Sequence, residues 1–528
     1  MSSLYLCYTQ NQLMKNPFSS SLHRICLSIL CVIICSCNQS ETVDNETDFC
    51  SKIHRNEEVS LSKELEELSP LMETNTGVYV LEDGSGSMVA RAWLSEYAET
   101  SIDIQYFIFS TDNIGLIACD YLVRAADRGV KVRIIVDDIM VDADIEDLLT
   151  FSSHENITVK IYNSGINLGK NFFQKLGNAA TDFRGINQRM HNKTFIVDNK
   201  VVITGGRNIA NEYFDYDHEY NFRDRDILLL GKGSEQVKDS FEKFWNNPLS
   251  QDVTTIIESS NEIAYTENTF KNLHEYACNP DNFWPQIRTR IEQLPNAFNA
   301  IKESGDLVWL ENIEFISDEP GKNDAEDGLG GGGKSTDALI KLIQEAKSSI
   351  DIQTPYLVTT SLSQTLFKEA VDRGVKIRIL TNSLASTDNI EAFSGYQKDR
   401  KTLLETGVRI FEYRPDALIR KEIMTGELQE ELDHAPIFGL HAKSMVIDGK
   451  ITVIGTFNLD PRSANLNTEC IVVVNSQKVA QGVLDGMEKE YLPENSWETT
   501  LDFNPDKEVS KMKRFKTWTR KIIPKDIL

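Results

Sequence analysis

The chain has 528 residues, enough for two or three domains that each bury a sizeable core. Hydrophobic residues make up 41% and charged residues 26%, the balance of an ordinary globular protein. Asp and Glu outnumber Lys and Arg by 80 to 55, and the resulting charge of -25 counts against a general nucleic-acid binder, which normally carries a basic footprint.

Five of the nine cysteines (Cys7, Cys26, Cys31, Cys35 and Cys37) fall at the N-terminus. The others, Cys50, Cys119, Cys278 and Cys470, are far apart, show no metal spacing, and read mostly as small buried hydrophobes. The run "ICLSILCVII" at 25–34 is apolar but too short to span a bilayer as a helix. His23 and Arg24 precede it and Cys35-Ser36-Cys37 follows, the layout of a secretory h-region with a cleavage site. The ending at 34–37 resembles a bacterial lipobox, which would make Cys37 the lipidated residue of a 1–37 signal peptide, with Met14 as a plausible start. A short uncleaved anchor is the alternative, and both place the body outside the cytoplasm at a membrane. Residues 38–75 begin polar and acidic, which suits a tether.

An internal repeat organises the rest. "SIDIQ" at 101–105 returns at 349–353, and "DRGVKVRI" at 127–134 returns as "DRGVKIRI" at 372–379. Each copy predicts a strand, a helix of about twenty residues and a second Val/Ile-rich strand. Gly129 and Gly374 fall where a helix C-terminal glycine belongs. Strands alternating with helices imply a mainly parallel sheet flanked by helices, one α/β unit in each half. The expected halves span 76–250 and 305–497, with 251–304 as a helical connector.

"RMHNKTFIVD" at 189–198 returns as "GLHAKSMVID" at 439–448. On a strand, residues two apart share a face, so His191 projects with Lys193 and His441 with Lys443. Asp198 and Asp448 lie at odd offsets from both and point the other way. "DNK" and "DGK" are also hairpin-turn chemistry, so these aspartates are expected to secure the turn rather than join a reaction. After six further residues come Gly205-Gly206-Arg207-Asn208 and Gly455-Thr456-Phe457-Asn458. One such motif would be weak; two in register within a repeat are not.

Three other stretches invite attention. "DYDHEYNFRDRD" at 215–226 gathers acids and His218 without any standard ligand spacing, and reads as a solvated loop. "GLGGGGKS" at 328–335 satisfies a P-loop expression, yet a polar acidic loop precedes it instead of a buried strand, so a mobile loop is expected. His434 is an ordinary loop histidine or a pocket-lining one. Finally, 498–528 is a basic tail. Within 507–528 eight Lys/Arg face two acids, a net of 8 − 2 = +6, with Phe515, Trp518, Ile522 and Ile523 interleaved. It suits an anionic bilayer surface, or else a solvated or locally packed helix.

The doubled motif resembles the phospholipase D superfamily, whose signature H-x-K-x4-D-x6-G-[GST]-x-N is met at every position in both halves, within a resemblance covering about 77–493. "MHNKTFIVDNKVVITGGRNIANEYF" and "GTFNLDPRSANLNTE" are most similar to bacterial cardiolipin synthases of the C type, and "FRDRDILLLG" at 222–231 to the strand that follows the family's first motif. The resemblance implies two tandem phospholipase D-like domains packed pseudo-twofold around one active site. It implies that His191 attacks phosphorus, that His441 is the general acid and base, and that Lys193, Lys443, Asn208 and Asn458 hold the phosphate oxygens, with Gly205, Gly206, Gly455 and Thr456 in the substrate-binding turns. It assigns histidine orientation to a carboxylate: Glu469 in the second half and, in the first, Asp224 with Asp226 behind it. Two lysines supply charge for phosphoryl transfer without a metal, and no cofactor is expected. The implied function is a membrane-attached phosphatidyltransferase making cardiolipin from phosphatidylglycerol, with phosphatidylglycerol or phosphatidylethanolamine as donor. A phospholipase D hydrolase is the first rival and a nuclease-type phosphodiesterase the second. The expected partners are phospholipids and the membrane surface of a bacterial envelope, not nucleic acid.

Overall fold

The computed structural model describes residues 50, 60–140, 143, 145–165, 187–256, 266, 268–323, 329–424 and 434–528. Cys37 and the expected signal segment lie outside them. Residues 53–528 form one compact unit, and everything below concerns it.

The first half runs β1 (Thr76–Leu81), α1 (Gly84–Tyr97), β2 (Ser101–Tyr106), α2 (Asn113–Asp127), β3 (Lys131–Asp137), α3 (Ile145–Ser152), β4 (Ile157–Tyr162), β5 (Thr194–Val197), β6 (Val201–Gly205), β7 (Tyr220–Arg223), β8 (Asp226–Gly231), α4 (Gly233–Trp245) and β9 (Ser250–Asp252). A further strand, β10 (Val308–Leu310), completes a sheet of order β10-β1-β8-β6-β5-β2-β3-β4-β9. The second half runs β11 (Glu314–Ser317), α5 (Lys334–Glu345), β12 (Ser349–Gln353), α6 (Ser361–Asp372), β13 (Lys376–Asn382), α7 (Ile390–Glu405), β14 (Arg409–Tyr413), β15 (Ile437–Leu440), β16 (Ser444–Ile447), β17 (Ile451–Gly455), β18 (Cys470–Asn475), α8 (Gln477–Glu490), β19 (Ser496–Thr499) and α9 (Lys511–Arg520). Its sheet order, β11-β18-β17-β16-β12-β13-β14-β19, repeats the first strand for strand apart from β10. Both sheets are mixed. Parallel pairing is confined to β2-β3-β4 and β12-β13-β14, where helical crossovers return the chain, and the histidine hairpins add antiparallel strands.

The repeated peptides owe their likeness to a repeated contact. Asp103 on β2 takes Arg133 from β3 at 2.6 Å, and Arg133 also reaches Glu242 on α4. Asp351 takes Arg378 at 2.5 Å, and Arg378 reaches Glu488 on α8. Each buried carboxylate in a strand thus has its cation. Gly129 and Gly374 adopt φ +94 and +93 at the ends of α2 and α6. A Cβ at either would meet nothing, so backbone handedness rather than space calls for glycine.

The halves pack face to face on one shared core. Ile196, Val202 and Leu229 of the first sheet join Val446, Ile454 and Val472 of the second there, each at most 1% exposed. Three boundaries differ from composition. Residues 60–72, read as tether, form short helical turns, because Leu61 and Leu65 lie four apart on one face and are buried. The connector packs on the first half, where Phe298 stacks on Trp93 at 5.0 Å, and the first sheet takes in β9 beside β4 and, from beyond the expected boundary at 305, β10 beside β1. The tail is packed: β19 pairs with β14, and Leu528 is buried. Among the described residues no helix is long and apolar enough to cross a membrane.

Candidate active site

The two motif segments leave their sheets and reach across the interface in the same way. His191 N donates to Thr468 O at 3.0 Å, and Thr468 N to Arg189 O at 2.9 Å. In the other half β15 lies parallel to β7, and His441 N and Ala442 N both donate to Arg223 O. Each histidine-bearing segment is therefore laid against the carboxylate-bearing segment of the opposite half.

The side chains follow. His191 Nδ1 lies 2.8 Å from Glu469 Oε2, and His441 Nδ1 lies 2.6 Å from Asp224 Oδ2. Residues 278 and 217 positions apart are thus paired crosswise, which spacing within a half could not reveal. Asp224, not Asp226, faces the histidine; Asp226 accepts from Arg91 Nη2 and Ser87 Oγ behind β8. Lys193 Nζ donates to His191 O at 2.8 Å, and Lys443 Nζ to His441 O at 2.5 Å. Phe107 stands edge-on to His191, while Tyr213 and Phe222 wall His441.

The glycines of the turns make room. A Cβ on Gly206 would lie 2.1 Å from Asp224 Oδ1, so glycine leaves the space this carboxylate fills. The second half has Thr456 there, whose hydroxyl donates to Glu469 Oε2 at 2.5 Å. A Cβ on Gly205 would meet Arg225 O at 2.6 Å and one on Gly455 would meet Cys470 O at 2.2 Å, so both admit the next strand. Asn208 Oδ1 accepts from Ile108 N and its Nδ2 donates to Tyr213 Oη. Asn458 Oδ1 is buried and has no hydrogen-bond partner among the described residues. Asp198 accepts from the backbone N–H groups of Glu99, Thr100 and Ser101, and Asp448 from those of Lys347, Ser348 and Ser349.

Burial dominates the electrostatics. It lowers His191 to about 4 against the pull of Glu469, and His441 to about 3 with Lys443 adding to the effect. Burial likewise brings Lys193 down to about 7 and Lys443 to about 8, against Glu469 and Asp224 respectively. Burial alone would raise both carboxylates, but His441 holds Asp224, and His191 holds Glu469, below the usual range. At rest near neutral pH the site holds neutral imidazoles, ionised carboxylates and lysines close to their titration points. A phosphodiester anion entering there would favour the protonated form of all four basic groups.

Beneath the site lies an ionic network that the sequence did not announce. Arg223 and Arg225 flank Asp224. Arg223 bonds Glu490 at 2.5 Å and Glu82 at 2.5 Å, and Arg225 bonds Glu82 at 2.8 Å and Ser444 Oγ at 2.9 Å. Gln353 joins Arg225 to Glu490. The segment bearing Asp224, between β7 and β8, is thereby fastened to the second half on both sides. The stretches 215–226 and 328–335 hold no ligand cluster among the described residues: His218 lies by Trp284, Lys334 pairs with Glu319, and Ser335 binds Asp318. His434 meets Glu219 on the exposed surface.

Two α/β halves with a His/Lys pair each, meeting at one buried centre, define a two-domain phospholipase D-like protein. The family described as "Cardiolipin synthase, PLD-like domain" matches residues 95–245 and 339–490, more than half of the sequence, and the chain belongs to it. Cardiolipin synthase C of Escherichia coli K12 is 33% identical over 441 residues, covering 81% of this chain and 87% of that protein. An "uncharacterized protein" of Helicobacter pylori 26695 is 33% identical over 411 residues, 78% of each chain. The crystal structure of phosphatidylserine synthase from Haemophilus influenzae Rd KW20 shares the fold at TM-score 0.54 and 13% identity, covering 88% of this chain and all of that one.

Proposed function

We propose that the protein is a membrane-attached phosphatidyltransferase that makes cardiolipin from phosphatidylglycerol and a second phospholipid through a phosphohistidine. The observation that supports this reading is the crossed pair of His–carboxylate contacts, each made through Nδ1, so that Nε2 is the nitrogen turned to the chemistry, with Lys443 Nζ 3.0 Å from that of His441. In the first step His191 Nε2 attacks the donor phosphorus, and the bond from phosphorus to the headgroup oxygen breaks. His441, protonated when the anionic substrate binds, delivers its proton to that leaving oxygen. In the second step the hydroxyl of an acceptor phosphatidylglycerol gives its proton to His441 and attacks phosphorus, freeing His191. Lys193 and Lys443 hold the non-bridging oxygens, where charge gathers in the transition state. Glu469 and Asp224 keep the imidazoles in place and stabilise their charged forms.

The test is to incubate the protein with phosphatidylglycerol vesicles, with and without phosphatidylethanolamine, and to identify the lipid products by mass spectrometry. Cardiolipin that disappears with His191→Ala is expected. Phosphatidic acid as the sole product would replace the transferase reading with a hydrolase. Covalent labelling from a donor with a good leaving group should survive His441→Ala and vanish with His191→Ala; the opposite result would exchange the two histidines' roles.

A further inference from the structure

The C-terminal helix α9 is turned inside out. A surface helix ordinarily sets its apolar stripe against the core. Here the side packed on the second half carries Thr517, fully buried, with Lys513 and Arg514 half-buried. Solvent meets Met512 (63% exposed), Phe515 (58%) and Trp518 (63%), and Ile522 just past the helix is 89% exposed. Steps of three, three and four residues bring these four onto one side. The Phe515 and Trp518 rings stack with centroids 5.9 Å apart. Single exposed apolar residues need no explanation, but a contiguous row does.

The row is flanked by cations. Lys511 and Lys516 are exposed and have no ion-pair partner among the described residues. The local excess of positive charge stands against a chain total of -25. The helix is nevertheless firmly seated. Arg520 pairs with Glu391 and Lys525 with Asp399, while Leu528 is buried against Val358 and Ala392. Arg462 N donates to Leu528 O at 3.3 Å, four residues beyond Asn458 of the catalytic turn. Asp388 is exposed, and its charge acts on both Lys513 of α9 and Lys443 of the active site, so one carboxylate lies within electrostatic reach of the helix and of the site.

We propose that α9 and the turn after it form a docking surface for an anionic phospholipid bilayer. In this arrangement Met512, Phe515, Trp518 and Ile522 enter the acyl region and the second half of the active site is carried close to the headgroups. A ridge of aromatic and aliphatic side chains bordered by lysines matches the layered chemistry of such a surface. It would act in addition to any N-terminal anchor, and it fixes orientation as well as attachment.

The experiment uses the full chain with phosphatidylglycerol vesicles whose acyl chains carry bromine, a contact quencher of tryptophan. Emission assigned to Trp518, by difference from Trp518→Phe, should be quenched on these vesicles, less so on phosphatidylcholine vesicles or at high salt, and less so in Met512→Ser/Phe515→Ser. Phe515→Ser/Trp518→Ser changes exposed residues only. It should lower turnover of vesicle substrate at least about tenfold, from the loss of two aromatic groups that enter the bilayer, with turnover of monomeric short-chain phosphatidylglycerol unchanged. No Trp518-dependent quenching would overturn the proposal. So would a Trp518 signal that follows protein concentration instead of lipid, which would identify a second copy as the partner. The turnover arm rests on the phosphatidyltransferase reading and the quenching arm does not. A chain that is quenched but turns over neither lipid would therefore sink that reading and leave the docking surface standing.

Discussion

At the scale of residues, the site's four basic groups are held near or below neutrality by burial, and this dictates its pH response. The value of kcat/KM reports ionisations of the free enzyme. Lys193 at about 7 and Lys443 at about 8 lose their charge as pH rises, and with it the hold on phosphate oxygens proposed for them. The histidines, at about 4 and 3, are already neutral across this range. We therefore expect kcat/KM to fall as pH rises above about 4, because the proton that His441 gains on binding comes from solution, and to fall more steeply above about pH 7 as the lysines lose charge. In kcat the alkaline limb should move upward, because the bound anion favours charged lysine. Lys193→Arg should remove part of the limb, since guanidinium does not titrate there. An alkaline limb equally steep in that variant would assign it elsewhere. Gly206 offers a second residue-scale test. An added methyl would meet the Asp224 carboxylate at 2.1 Å, so Gly206→Ala should displace the carboxylate and lower kcat about 10- to 100-fold. The double variant Gly206→Ala/Asp224→Ala should be no slower than Asp224→Ala alone. A further loss in the double variant would mean that the methyl disturbs something other than this carboxylate.

At the scale of elements, the hairpins β5-β6 and β16-β17 depend on the aspartates that close their motifs. Asp198 binds three consecutive backbone N–H groups at the start of β2, next to β5. Charge-assisted bonds of this kind contribute about 1.5–3 kcal/mol each. Asp198→Asn should therefore cost about 2 kcal/mol of stability in denaturant unfolding while the shape of the pH–kcat/KM profile is kept; a changed profile would bring the residue into the chemistry. Odd and even spacing along a strand does not describe this aspartate, since His191 and Lys193 precede β5 and Asp198 follows it in the turn at φ +50; the doubled α/β units were legible from "SIDIQ" and "DRGVK". What spacing could not show is contact between distant segments. Glu469 was found by its place after Asn458, but its pairing with His191 depends on the parallel contact of Thr468 with Met190. The network of Glu82, Arg223, Arg225 and Glu490 escaped notice because charged residues scattered through a sequence read as surface until the fold buries them. The strand β10 escaped because three residues carry too little periodicity to register.

At the scale of the whole molecule, the halves are repeats in topology yet not independent in stability. Their shared core includes Ile196, Val202 and Leu229 from one sheet and Val446, Ile454 and Val472 from the other. Separation would bare both faces to water at about 25 cal/mol for each Å² of apolar surface. It would also break the contacts of Arg223 with Glu490 and of Arg225 with Ser444. Removing one partner of a buried ion pair costs about 3–5 kcal/mol. A typical domain has only about 5–15 kcal/mol of stability in total. Neither half should then survive alone. Residues 60–310 and 311–528 expressed apart are expected to lack a cooperative thermal transition, whereas co-expression should restore one transition together with the crossed His–carboxylate centre and its activity. The intact chain should unfold as a single unit, with β5 and β16 losing amide protection together in hydrogen exchange. A first half that melts cooperatively by itself, near the temperature of the whole chain, would show that the shared core contributes little. The crossed carboxylates would then be a refinement added to a self-sufficient domain. Loss of both transitions on separation would instead mean that the two histidines are brought together by the same contacts that make the chain fold.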